Sequence, residues 1–262
     1  MRFCLPGIPM NLRSKERRWL AGIAVLCCFV DLGLGQEGTW SVSLGGGPAF
    51  PSLSEVNKTL DETVSDWNQR QVPISALDHF SPVIQFSIRG MYRYDRDMAA
   101  SLAVSHFSQS ISGEYEDSSI SLMIDRSVGA MEIAFGLSYF FPPLIFDTEI
   151  GVSVDAGIFL ARGGATTYNL GKRKIGATEV DTLIVDTDAQ YRKSKLVASI
   201  GGMIIVHVYD PLFFRLDAAF KLAAIGRMPG TVRRIEGTFE EESFSNFNFS
   251  GFSFSVGAGI TL

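Results

Sequence analysis

His106-Phe107-Ser108 sets a base and a nucleophile two residues apart, which on a strand puts both side chains on one face. Serine hydrolysis needs that pair plus an acid to orient the base, and Glu114 and Asp117 follow as candidates. The competing reading is a histidine and a serine resting in a polar interfacial zone. Asp147 and Glu149 are two carboxylates on one face, a pattern open to acid–base work, although ion pairing inside a closed sheet accounts for them more simply. His79, His106 and His207 are scattered without zinc-ligand spacing. Gly45-Gly46-Gly47 leads into Pro48 and not into a phosphate-binding helix. No metal and no cofactor is expected.

The elements that hold these residues read as strands. The 262 residues include 26 glycines and 20 phenylalanines, and helix-favouring runs are scarce. Past the N-terminus no stretch approaches the roughly 20 apolar residues of a membrane helix. Residues 1–35 read as a cleaved export signal: Arg13, Lys15, Arg17 and Arg18 precede an apolar core from Trp19 to Val30, and Gly33 and Gly35 precede the cut. Translation starts at Met1 or Met10. Cys4, Cys27 and Cys28 all leave with this segment, so the domain at 36–262 is expected to have no disulfide. Losing five basic and two acidic side chains leaves 18 basic against 26 acidic, a balance of −8 that does not suit a nucleic-acid partner.

Eight segments alternate with a period of two: 40–50, 82–94, 98–110, 128–140, 146–160, 195–208, 212–225 and 247–262. Their connections alternate as well. Tyr94-Asp95-Arg96-Asp97, Phe141-Pro142-Pro143 and Tyr209-Asp210-Pro211 are tight turns, whereas 51–81, 111–127, 161–194 and 226–246 are long polar links. Long and short links sorted to opposite ends predict a closed, antiparallel, up-and-down transmembrane β-barrel of eight strands, with its termini in the periplasm.

The faces fit this. Phe214, Leu216, Ala218, Phe220 and Leu222 oppose Arg215, Asp217, Ala219 and Lys221; Ile84, Phe86, Ile88 and Tyr92 oppose Gln85, Arg89 and Arg93. A soluble barrel would turn the apolar face inward. Here the polar face is mostly Gly, Ser and Ala with a few charges of both signs, as a narrow lumen requires, and the apolar face is largely free of charge, as hydrocarbon requires. Arg89, Arg93, Glu132, Asp147, Glu149, Asp155, Arg215, Asp217 and Lys221 share the lumen parity. Buried charges must pair, so these residues predict an internal network that plugs the barrel. A narrow path for ions or small hydrophobic solutes through the same residues is the alternative.

At the carboxyl end, Phe252, Phe254, Val256, Ala258, Ile260 and Leu262 occupy every second position. The ending resembles the C-terminal strand signal of bacterial outer-membrane proteins, departing from it in having Leu262 where an aromatic is usual. The whole domain resembles the OmpA/OmpX/OmpW-type eight-stranded barrel superfamily. That resemblance implies an outer-membrane location and contact with outer-membrane lipid, lipopolysaccharide and the barrel-assembly machinery; the surface ligand stays unknown. His106-x-Ser108 is similar to the His-x-Ser of outer-membrane lipid A deacylases, but Ile120 stands where that family's spacing places the acid.

Two features remain in the outer links. Ser52 and Glu55 match a capping box, followed by a helical stripe of Leu53, Val56, Leu60, Val64 and Trp67. Such a helix can cap the barrel, pack on neighbouring loops or lie on the membrane. Lys172-Arg173-Lys174 and Arg233-Arg234 fit lipopolysaccharide phosphates or plain solvation, and Thr182-Leu183-Ile184-Val185 can extend two strands into a hairpin above the membrane.

Overall fold

The computed structural model describes residues 38–117, 120–142, 148–175, 178–243 and 245–262, with backbone alone for 172–175 and 178–186. The expected signal segment and Asp147 lie outside the described residues. The ring consists of β1 (Thr39–Pro51), β2 (Val83–Arg93), β3 (Met98–Glu116), β4 (Ile120–Phe140), β5 (Thr148–Ile175), β6 (Thr178–Tyr209) and β7 (Leu212–Leu222), with the late strand Gly251–Thr261 as its eighth member. Between them lie α1 (Ser54–Gln69), β8 (Ala224–Gly226), β9 (Pro229–Arg234), β10 (Gly237–Glu242) and β11 (Phe247–Asn248), so the eighth ring strand is β12.

Each ring strand pairs antiparallel with its neighbour, β12 joins β1 to β7, and β6–β7 closes the circle. All eight expected strands are present. The Tyr94–Asp97 and Tyr209–Pro211 turns and both described chain ends lie at one end, where Thr39 pairs with Arg93 and Ser41 with Thr261. Alternation settles which face is which. Leu44, Phe86, Phe135, Val154, Ile200, Phe214 and Phe254 are exposed, whereas Ser43, Ser101, Glu132, Asp155 and Arg215 are buried. A belt of bare apolar side chains all round a closed sheet is a surface for hydrocarbon, not for water.

Two of the expected long polar links prove to be sheet. The β3–β4 pairing runs on to Glu116↔Ser121 and the β5–β6 pairing to Ile175↔Thr178. The hairpin suggested by Thr182–Val185 therefore exists. At about 3.3 Å per residue, the 28 residues of β5 extend roughly 90 Å, whereas about 9–11 residues cross a bilayer. The short strands β1, β2, β7 and β12, of 11 to 13 residues, stop near the belt. One side of the rim is thus a tall wall and the other is low.

These extensions read as polar links because their polarity inverts above the membrane. On β3 the inward residues change from Ser101 and Ser105 to Phe107 and Ile111, while the outward ones change from Leu102 and Val104 to Ser108, Ser110 and Glu114. The same crossover on β4 puts Leu122 and Ile124 inside. Helix α1 fills the low side, with Leu60 and Val64 buried. It caps the barrel and packs on neighbouring loops: Thr59 Oγ1 and Ser245 Oγ are 2.7 Å apart, and Asn57 Oδ1 accepts from Phe80 N at 2.9 Å. The capping box does not form. Helix entry is at Leu53 with no side-chain cap, because the Glu55 carboxylate instead accepts from Asn246 N and Nδ2 at 3.2 and 2.8 Å. The helix is also too short and polar to cross a membrane.

The inversion separates two solvents. Val154→Arg, at the centre of the belt, is expected to lower stability by about 2–4 kcal/mol in bilayers. The same change at Ser110, outward but above the belt, is expected to cost well under about 1 kcal/mol. Urea titration of both variants in lipid vesicles checks this.

Candidate functional site

Eight of the nine charges assigned to the lumen are described, and they form four opposite-charge pairs. Arg89 donates from Nη1 to Asp155 Oδ1 at 2.9 Å and to Ser101 Oγ at 3.0 Å. Arg93 grips Glu149 bidentately at 2.7 and 2.6 Å, with its guanidinium 4.2 Å from the centre of the Phe140 ring. Arg215 holds Asp217 at 2.7–2.9 Å on its own strand. Lys221 pairs with Glu132, which also accepts from Ser105 at 3.2 Å. The bidentate geometry and the surrounding hydroxyls compensate groups taken out of water. Gly136 makes room for this arrangement, since a Cβ there would collide with the Asp155 carboxylate.

Apolar residues facing inward flank the Arg89, Arg215 and Lys221 pairs on both sides, whereas Arg93–Glu149 lies at the turn end and is partly exposed. Toward the tight turns, Met91, Ala99, Phe140, Met203, Ile205 and Phe213 form one cluster. Toward the outer end, Val83, Phe107, Phe159 and Phe249 belong to a second, larger cluster that includes Leu53 and Leu60 under α1. A cavity of about 80 Å³ remains among Arg89, Glu132, Asp155, Asp217 and Lys221. Sequence reasoning misses both apolar layers. Their residues share the parity of the charges, and the signal lies in Met91, Met203, Ile205 and Phe213, which break the polar rule of the inward face.

The hydrolase candidates are not brought together. His106 and Ser108 both point outward and are exposed. Glu114 shares their face but lies six residues beyond Ser108, roughly 20 Å along a strand. Among the described residues no hydrogen bond joins His106 to a carboxylate or to Ser108. The same tripeptide recurs at His79-Phe80-Ser81, where His79 Nε2 lies 3.1 Å from Asp61 Oδ1 on the exposed loop beside α1. Among the described residues no group of three or more potential metal ligands converges.

No family model matches the chain, and no curated protein sequence does. The fold is a closed antiparallel ring of eight strands. Solved structures similar to it include Ail, the attachment invasion locus protein of Yersinia pestis, in complex with the heparin analogue sucrose octasulfate (11% identity, 87% of this chain and 100% of that one, TM-score 0.41). OprG of Pseudomonas aeruginosa is 8% identical over 87% of this chain and 97% of its own, with a TM-score of 0.43. A major outer membrane protein of Thermus thermophilus is 10% identical over 85% and 99%, with a TM-score of 0.45.

The outward residues at the edge of the belt form a second candidate surface. Arg162 and Arg192 are direct cross-strand neighbours, both exposed, two outward positions above the apolar pair Ile158 and Leu196. Like charges placed opposite each other repel, and neither has an ion-pair partner among the described residues. Of the carboxyl-terminal pattern, Phe252, Phe254, Val256, Ala258 and Ile260 point outward on β12, and Leu262, just past its end, is exposed. Of the basic runs, Lys172–Lys174 lies where only backbone is described. In the other, Arg234 pairs with Glu241 at 2.9 Å.

The lumen pairs make a stability prediction. Asp155→Ala strands Arg89 in the interior and is expected to cost about 3–5 kcal/mol. Adding Arg89→Leu should recover much of the loss, because the double variant leaves no unpaired charge. Urea unfolding of the refolded barrel in micelles measures the coupling.

Proposed function

We propose that this chain is an integral barrel of the bacterial outer membrane whose lumen is plugged and whose work is done by its outer surface. The observation that carries this reading is the bracketing of the central lumen charges: Arg89–Asp155 and Lys221–Glu132 pair across the interior, with inward-facing apolar clusters toward both ends. An eight-stranded interior is only wide enough to be filled by side chains. An ion entering it would have to displace an arginine or a lysine from its carboxylate and cross two dry layers. The tall wall of β3 to β6, by contrast, offers a broad polar face beyond the lipid. Export with cleavage near residue 35, and delivery to the assembly machinery through the β12 pattern, complete the proposal.

Planar-bilayer recording tests it. The wild type is expected to give no unitary conductance steps. Discrete steps from the unaltered protein would sink the plug and establish the narrow-channel alternative.

Lipopolysaccharide is the surface partner that the Arg162–Arg192 pair favours. Two adjacent guanidinium groups at headgroup height, with no carboxylate between them, match a phosphate monoester that each can grip with paired hydrogen bonds. Replacing both arginines by Gln is expected to weaken binding of bisphosphorylated lipid A about tenfold or more. Binding of the dephosphorylated lipid should hardly change. Equal binding by variant and wild type would remove the arginines from the site.

A further inference from the structure

The tall wall, α1 and the β9–β10 hairpin enclose a cavity of about 240 Å³, separate from the lumen and lined chiefly by apolar atoms. Val56 and Leu60 come from the helix, Phe80 from the loop after it, Val128 and Ala165 from the wall, and Val232 and Phe247 from the far side. A cavity of about 150 Å³ lined by apolar side chains holds benzene, so this one has room for an aromatic ring and a short tail.

One group in the lining is out of keeping with it. Arg126 points inward from β4, partly buried, and makes no ion pair among the described residues. Its Nη1 donates to the carbonyls of Asp125 and Thr166, both at 2.9 Å, and Nη2 reaches only Thr167 Oγ1 at 3.5 Å. Nε has no acceptor among the described residues. The other cation in the lining, Arg234, is already taken by Glu241 at 2.9 Å and lies over the Phe239 ring. Glu241 in turn is the carboxylate near Tyr191, whose hydroxyl is held above its ordinary pKa chiefly by burial. Burial also pulls Arg126 below the ordinary guanidinium pKa, yet an arginine in a protein stays charged. The lining therefore carries one positive charge with spare donors and, among the described residues, no ion-pair partner inside the cavity; Asp125, the adjacent residue on the strand and not part of the lining, attracts it without pairing.

We propose that this cavity binds a small amphiphilic carboxylate, its apolar body between α1 and the wall and its carboxylate on Arg126. The anion supplies the missing counter-charge, and the apolar lining accepts a ring or short chain that water solvates poorly. The Thr59–Ser245 and Glu55–Asn246 bonds close α1 over the occupant. A purely polar anion would leave most of the lining unsatisfied, and a neutral hydrocarbon would leave the arginine bare.

The test uses the mature protein refolded in micelles, with folding of every variant verified by the heat-dependent mobility shift. Titration with 3-phenylpropionate, followed by calorimetry and by ligand-observed NMR, is expected to show saturable one-to-one binding above that of empty micelles. Arg126→Gln should weaken it at least tenfold, and Ala165→Leu, which fills the cavity without touching the charge, should abolish it. The neutral 3-phenylpropanol should bind wild type and Arg126→Gln alike, and more weakly than the acid binds wild type. Binding no greater than to micelles alone overturns the proposal, as does equal affinity for acid and alcohol. If Arg126→Gln fails to fold, Ala165→Leu and the alcohol comparison decide. None of these outcomes depends on whether the lumen conducts.

Discussion

Hydrocarbon offers a backbone nothing to bond with, and this constraint organises the whole chain. A sheet placed in it can leave no edge open. Eight strands of modest length satisfy that condition only by closing, which β12 achieves by pairing with β1 on one side and β7 on the other. Closure at eight fixes the bore, and the bore determines what can lie inside: glycines and serines where backbones crowd, and a few long side chains reaching across. The outward face needs nothing but apolar bulk, and the turns at the near end need only be short.

Above the hydrocarbon the same strands meet a different solvent, and the rule for each face reverses. Water now bathes the outward side, so it turns to Ser, Glu, Asp and Gln; the inward side, no longer confined to a crowded lumen, builds an ordinary apolar core with Leu122, Ile124 and the residues of α1. Because only β3 to β6 extend this far, that core has a wall on one side and none on the other. Helix α1 and the β9–β10 hairpin supply the missing side. The vestibule and its cavity are thus a consequence of unequal strand lengths and not of a separate domain.

This reversal also accounts for what is legible in the sequence and what is hidden. The eight membrane strands are legible because lipid imposes a strict alternation over about ten residues. The lumen charges are legible because Arg89, Glu132 or Asp155, set on a face of small residues opposite an apolar one, belongs in a crowded polar interior and nowhere else in such a sheet. The upper halves of β3 to β6 look like links because Ser108–Glu116 reads as polar once its alternation changes sign, and periodicity alone does not separate an exposed strand face from a loop. The capping box at Ser52–Glu55 misleads in a different way: a local motif describes what a helix end can do, whereas Asn246, 191 residues away, decides what Glu55 does. The apolar brackets leave only a faint trace, in Met91, Met203, Ile205 and Phe213 on an otherwise polar face, and the role of Arg126 is hidden because α1 and β9, which complete its surroundings, are distant in sequence.

The lumen poses a last question of why charge is used where apolar packing would serve. A buried ion pair is often no more stabilising than well-packed hydrocarbon of the same volume. What the pairs add is position. Arg89 and Arg93 of β2 reach across the bore to Asp155 and Glu149 of β5, strands that share no backbone hydrogen bond, and Lys221 of β7 reaches Glu132 of β4. A slip of one residue in any intervening pairing would swing the charge on the slipped strand into lipid and leave its partner alone inside. Apolar contacts tolerate such slippage, because one methyl group can replace another. A carboxylate that must meet a guanidinium does not. The two bridges at different heights along β2 and β5 therefore specify one register of the ring, which the surrounding apolar layers could stabilise but not select.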